Sequence, residues 1–265
     1  MDPWRLMNFV MIAIFVAAIV WLYRGDKEAG HVRTVTWLFL GATSMSWMEA
    51  VWDWVLYYRF NPEQFWLMPE WIPVLGMGGG LPYIMPTIYG PWFVLVNFAT
   101  AVWMVQRNFS LKQIFVGALV LGALEELILE IPFLLIGTYS YTRALPGFHI
   151  FEGQAQYPLD VPLLMAPVMA FITVFIAVAI RREQARAAGT GTPSNTSTFF
   201  GRMRELRAFG GTDDRKGINA ICVIIAAHFV FLMPMIPALI MRVTGLKTDI
   251  GDATAFGWPA YPFPM

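Results

Sequence analysis

The chain is short of the residues that most catalytic chemistry and most soluble surfaces need. Of its 265 residues one is cysteine, three are histidine and only 14% are charged, against 57% hydrophobic. A lone cysteine, Cys222 inside an apolar run, excludes an internal disulfide, a paired-thiol redox motif and a cysteine-rich zinc site. Three histidines (His31, His149 and His228) are too few for the multi-histidine di-iron site of membrane desaturases. The 18 Lys+Arg residues balance the 18 Asp+Glu residues, so no net field recruits nucleic acid or an acidic partner. No lysine falls within a long apolar stretch, which excludes a retinal Schiff base. A chain this poor in charge is not a soluble domain.

What it has instead is apolar length. A bilayer core about 30 Å thick needs roughly 20 mainly apolar residues per helix. Six stretches qualify: Leu6–Tyr23, Thr34–Tyr57, Tyr83–Val105, Phe115–Gly137, Val161–Ile180 and Ile218–Met241. The first has no small-x-small cleavage site after it and reads as a retained helix rather than a signal peptide. Most Lys and Arg residues fall in the loops after the first, third and fifth stretches, Arg181 to Lys216 above all, which predicts both termini outside. The expected fold is therefore all-α, a polytopic bundle of six transmembrane helices in a bacterial cytoplasmic membrane. Residues 1–184 hold the first five helices, with outer lid loops rich in aromatics at 58–82 and 138–160. Residues 185–217, with their Gly-Thr-Pro-Ser-Asn run, read as a flexible basic cytoplasmic linker. Residues 218–265 hold the last helix and an aromatic tail.

Ionisable groups inside such helices are costly and face a cavity, a partner or a pathway. The second stretch carries Glu49 and Asp53; the fourth carries Glu125, Glu126 and Glu130. Glu49/Asp53 and Glu126/Glu130 are spaced i,i+4, so each pair lies on one helix face. Both helices run from inside to outside, and if their acidic faces meet, the carboxyls share one pocket below the outer lids. Such a cluster cannot be fully ionised, and a carboxylic acid beside a carboxylate is an acid/base pair. Glu125 points away from that face and reads equally as a structural group. His228, midway along the last helix, reads either as a satisfied core histidine or as a substrate contact. An oxygen-rich metal site from carboxylates alone stays open, but the Glu-x-x-His pattern of di-iron bundles is absent, and the expectation is no metal and no cofactor.

The flanks of these acids form a pattern. Trp52-Asp53-Trp54, Tyr57-Tyr58-Arg59-Phe60-Asn61-Pro62 and Pro69-Glu70-Trp71-Ile72-Pro73 precede a second set: Glu130, Gly137-Thr138-Tyr139-Ser140-Tyr141, Pro146-Gly147, Gly153 and Tyr157-Pro158-Leu159-Asp160. Together they resemble the AveC-like integral membrane proteins, named after a spiroketal-forming protein of avermectin biosynthesis. The resemblance runs from about Glu49 to Pro162. It is loose from Ile72 to Pro91, and Asp160 stands where the pattern has glutamate. It implies an enzyme that closes a hydroxy-ketone polyketide to a spiroketal with dehydration.

On that reading Glu130 is the general acid and Asp53 the general base, with Glu126 and Glu49 tuning them. Asp160 orients the substrate at the mouth, and Tyr57, Tyr139, Tyr141, Tyr157 and His228 are further substrate contacts, with Tyr57, Tyr139 and Tyr141 serving a developing oxyanion or cation. The partners are a lipophilic small molecule from the bilayer and membrane lipid. The leading expectation is a membrane enzyme for metal-free acid/base cyclisation, dehydration or isomerisation of a lipophilic polyketide or lipid; a membrane terpene cyclase, a proton-coupled transporter and a non-catalytic membrane subunit remain the alternatives.

Overall fold

A computed structural model describes residues 2–30, 32–68, 81–151, 156–187 and 216–249. The fold is mostly helical. α1 (Pro3–Ala29) starts with proline in its first turn, where a missing N–H costs nothing. It lies at the edge of the bundle, with few buried residues and with Phe9, Val16 and Trp21 exposed. α2 (Thr34–Ser44) is capped at its start by Asp26, whose Oδ1 accepts from Arg33 N, Arg33 Nε and Thr36 Oγ1. It passes through a 3₁₀ turn, Met45–Met48, into α3 (Glu49–Leu56). Ser44 donates back to the Gly41 carbonyl at 2.7 Å, the local competition that loosens a helical ladder.

The third helix is likewise composite: α4 (Ile84–Gly90), a π turn at Pro91–Val96, then α5 (Asn97–Gln106). Pro91 has no N–H to donate, and the ladder resumes with a wider turn. α6 (Leu111–Leu135) begins with a reciprocal capping box between Ser110 and Gln113. It packs along α7 (Asp160–Ala187), closely enough at Gly122 that an added Cβ would stand 2.6 Å from Met169 Cβ. Asn97 ties α5 to the same helix, accepting from Thr173 Oγ1 at 2.6 Å. α8 (Lys216–Leu232) stops before Pro234, and α9 (Met235–Val243) continues.

Four of these runs are long and apolar enough to cross a membrane: Pro3–Ala29, Ile84–Gln106, Asp160–Arg182 and Ile224–Val243. The two expected stretches outside that set are the acid-bearing ones. One is interrupted at Met45–Met48, and the other holds three glutamates, Glu125, Glu126 and Glu130.

All-α is also incomplete as a description, because the connections at one end form short antiparallel ribbons. β1 (Tyr58–Phe60) pairs with β4 (Tyr139–Tyr141), β2 (Trp66–Met68) with β3 (Leu81–Pro82), β5 (Arg143–Ala144) with β8 (Thr248–Asp249), and β6 (His149–Ile150) with β7 (Tyr157–Pro158). The expected basic linker lies almost wholly outside the described residues; α7 extends to Ala187 and α8 begins at Lys216. The expected aromatic tail beyond residue 249 and the centre of the first outer loop also lie outside them.

Candidate functional site

Two helix ends build the site in the same way. α3 ends at Tyr57, a residue in the left-handed region (φ 59°), and α6 is followed by Gly137 (φ 73°). Each reversal feeds directly into a strand, and the two strands pair: Tyr58 with Tyr141, Arg59 with Ser140, Phe60 with Tyr139. Thr142 locks the join, donating from N at 2.8 Å and from Oγ1 at 3.1 Å to the Tyr57 carbonyl. Alternation along the ribbon puts Tyr58, Phe60, Tyr139 and Tyr141 on one face. That face closes a cavity of about 60 Å³ between α3 and α6.

Glu49 and Asp53 from α3 and Glu126 and Glu130 from α6 all line this cavity. Glu49, Asp53 and Glu126 are buried, at 8%, 4% and 2% exposure, and Glu130 is partly buried. Tyr89 donates to Glu49 Oε2 at 2.5 Å and Tyr141 to Glu130 Oε2 at 2.9 Å. Glu126 Oε1 has no partner, and the Trp92 indole stands beside that carboxyl group. The rest of the wall is apolar and strongly aromatic, with Trp52, Phe93, Phe133 and Phe231 among the rings and no lysine, arginine or histidine. Among the described residues no three His, Cys, Asp or Glu side chains converge closely enough to hold a metal ion.

The phenols are the firm proton donors here. Burial pushes Tyr58, Tyr139, Tyr141 and Tyr157 well above the ordinary phenol range; for the last three the neighbouring Glu130 charge acts in the same direction. Tyr157 does not line the cavity. It stands behind Tyr141, ring centroids 5.8 Å apart at 77°.

Three more residues expected as substrate contacts also sit off the cavity wall. Tyr57 is held between cations, with Arg242 Cζ 4.1 Å and Arg143 Cζ 4.8 Å from its ring centroid. Arg242 also donates to the Trp54 carbonyl, closing the C-terminal turn of α3. Asp160 does not open onto the cavity but faces Lys247, Oδ2 to Nζ 2.6 Å, in a buried ion pair. Burial lowers the Lys247 amine from its ordinary value, and the Asp160 charge opposes that shift. His228 is satisfied on both nitrogens: Nδ1 is 2.7 Å from the Ile224 carbonyl, and Nε2 accepts from Trp47 Nε1 at 3.2 Å. An acceptor beside one nitrogen and a donor beside the other leave neither ring nitrogen facing a substrate. Glu125 is also off the cavity wall, with Oε1 unpartnered.

Sequence reasoning missed Tyr89, Trp92 and Lys247. A tyrosine inside an apolar helix, needing a partner for its hydroxyl, was the available signal for the first. Nothing local marks Lys247, whose partner is 87 residues away along the chain.

Fold and cavity together define a helical protein of membrane-crossing composition with a carboxyl and phenol site under a strand ribbon. The chain belongs to the AveC-like spirocyclase family: the family model described as "Spirocyclase AveC-like" matches residues 32–205, a span that contains every cavity residue named above except Phe231. No curated protein and no solved structure matches the chain.

Proposed function

We propose that this protein is an integral membrane enzyme that cyclises a lipophilic hydroxy-ketone by acid/base catalysis, as a spirocyclase does. The observation that carries the reading is the convergence of four carboxyl groups from two helices on one aromatic cavity, two of them receiving phenol hydrogen bonds. Spiroketal closure needs a proton given to an oxygen that leaves and a proton taken from a hydroxyl that attacks. Like charges crowded in a dry site retain some of their protons, so one wall can offer both forms. Glu130 gives the proton and Asp53 takes one, while Tyr141 orients the Glu130 carboxyl. Glu49 and Glu126 set the charge of the cluster.

In this setting all six apolar runs span the membrane, both termini lie outside, and the acid-bearing helices are tolerated because their polar faces meet each other. The substrate enters from the bilayer. The cavity's free space suits only a few waters, so entry requires side chains or helix ends to move apart. The 3₁₀ turn, the π turn and the break before Pro234 are places where such movement is cheap. The same interruptions favour one second reading, a proton-coupled transporter, since broken helices near a midplane site are a transporter device. Substrate-dependent proton flux into sealed liposomes would support transport, and its absence would remove that reading.

For the enzyme reading, Glu130→Gln should lower turnover of a dihydroxy-ketone polyketide by about 10²-fold or more. Thermal stability and substrate affinity should change little. Full turnover in that variant would refute the assignment.

A further inference from the structure

Catalytic cavities that handle oxygen chemistry stabilise either negative or positive charge, and their walls differ. An oxyanion needs free donors aimed at it. Here three of the cavity's four phenols are spent on protein oxygens, Tyr89 on Glu49, Tyr141 on Glu130 and Tyr139 on the Glu130 carbonyl at 3.4 Å, and the donors left unpartnered on the wall include the Trp52 indole and the Thr138 hydroxyl, both neutral. No lysine, arginine or histidine lines the wall. What the wall does offer is carboxyl oxygen and ring faces. Glu126 is 2% exposed, lines the cavity and leaves Oε1 without a partner. The rings of Trp52, Trp92, Phe93, Phe133 and Phe231 surround the same space. Aromatic faces attract cations, most strongly where water is excluded.

We infer that the cavity between α3 and α6 is built to hold positive charge, and that it binds lipophiles with a cationic centre, including a cation formed there from a neutral substrate, more tightly than neutral or anionic ones. The inference rests on the cyclase reading for its chemistry and sharpens it. One hydroxyl of a dihydroxy-ketone adds to the carbonyl and gives a hemiketal. Protonation by the carboxylic acid lets the hemiketal hydroxyl leave as water, and the carbon–oxygen pair left behind is an oxocarbenium ion. The second hydroxyl attacks that carbon and its proton passes to a carboxylate. One water is lost, no electrons are exchanged, and the acid spent in the first half is regenerated in the second. The cationic species is the one that the ring faces and the unpartnered Glu126 oxygen would stabilise. Trp52 Nε1, buried on the cavity wall and without a partner, can donate to the departing oxygen.

The test separates charge preference from turnover. Decylammonium, 1-decanol and decanoate share one chain and differ in the charge of the head. Their apparent dissociation constants would be measured by calorimetry on the full-length protein in phosphatidylcholine nanodiscs, corrected for partition into empty discs. Decylammonium should bind about tenfold more tightly than decanol, and decanoate more weakly than both. In Glu126→Gln and, separately, in Trp92→Leu the ammonium preference should fall by about threefold while decanol binding is kept; the two substitutions remove different parts of the wall, so a folding failure in one leaves the other informative. Equal binding of the three probes, or tighter binding of decanoate, would overturn the inference. Ammonium preference without Glu130-dependent turnover would refute the cyclase reading alone. Glu130-dependent turnover without ammonium preference would refute the cation inference alone.

Discussion

Two cavities share the α2–α3, α4–α5, α7 and α8 runs, with α6 lining only one of them, and their linings are opposites. The one nearer the strand ribbons is walled by carboxyls, phenols and indoles. The other, of about 40 Å³, is lined by Leu38, Met45, Val94, Val168, Phe175 and Val230 among others, with no polar side chain. The change happens within a turn on each helix: Met45 to Glu49, Val94 to Trp92, Val168 to Met165, Val230 to Phe231. On those shared runs helix packing alone therefore does not call for acids; the apolar cavity shows what they do without them. Four buried or half-buried carboxyls are kept against a cost of a few kcal/mol each, and residues kept at such a cost point to function.

The comparison breaks first if the apolar cavity accepts an acid. Val168 is fully buried in α7, with no donor on that cavity's wall. Val168→Asp should destabilise the protein by about 3 kcal/mol and reduce the yield of monodisperse protein in detergent. Wild-type stability in that variant would mean the bundle tolerates carboxyls anywhere, and the acidic cavity would lose its significance.

A smaller effect distinguishes the two ends by pH. Tyr58, Tyr139, Tyr141 and Tyr157 hold their protons in the fold well above the ordinary phenol value of 10.0. An unfolded chain releases those protons near that value, so the stabilisation is full below about pH 10 and is lost as pH rises towards the folded values. Each phenol should contribute a slope of about 1.4 kcal/mol per pH unit in that alkaline window. Tyr141→Phe should flatten the slope by one such step, read from alkaline melts together with tyrosinate absorbance. Ala227→Val, in the apolar cavity, should leave it unchanged. An unaltered slope in Tyr141→Phe would place that phenol in contact with solvent.

How much of this was legible beforehand varies with the range of the forces involved. The helical runs follow from apolar length, and each expected stretch has a helix or helix pair over it. The i,i+4 acids were visible because helical periodicity is local. The ribbon of Tyr58–Phe60 and Tyr139–Tyr141 was not, since pairing between segments about 80 residues apart leaves no local period. Without that register Tyr57 reads like its neighbours, although its left-handed φ turns it towards Arg143 and Arg242 and away from the cavity. Asp160 misled for the same reason: a lone acid beside a motif suggests substrate, and its cation, Lys247, comes from the far end of the described chain. His228 was ambiguous because its answer depends on one indole, Trp47, supplied by another helix.

The smallest predicted effect is the most discriminating, because its sign opposes ordinary expectation. Most substitutions of buried residues destabilise. Glu126 is nearly fully buried on α6, one carboxyl oxygen unpartnered, with Glu130 one turn away on the same face. Its desolvation is not repaid by any cation on the wall. Glu126→Gln keeps the shape and the hydrogen-bonding reach and removes the charge. The melting midpoint should therefore stay level or rise, by up to about 1 kcal/mol of stability, while turnover falls. A carboxyl that served the fold would give the reverse, a clear loss of stability with activity retained per folded molecule. Thermal melts and specific activity measured on one preparation decide between them, and the same substitution at Glu49, which already accepts from Tyr89, should show a smaller gain because its charge is partly compensated.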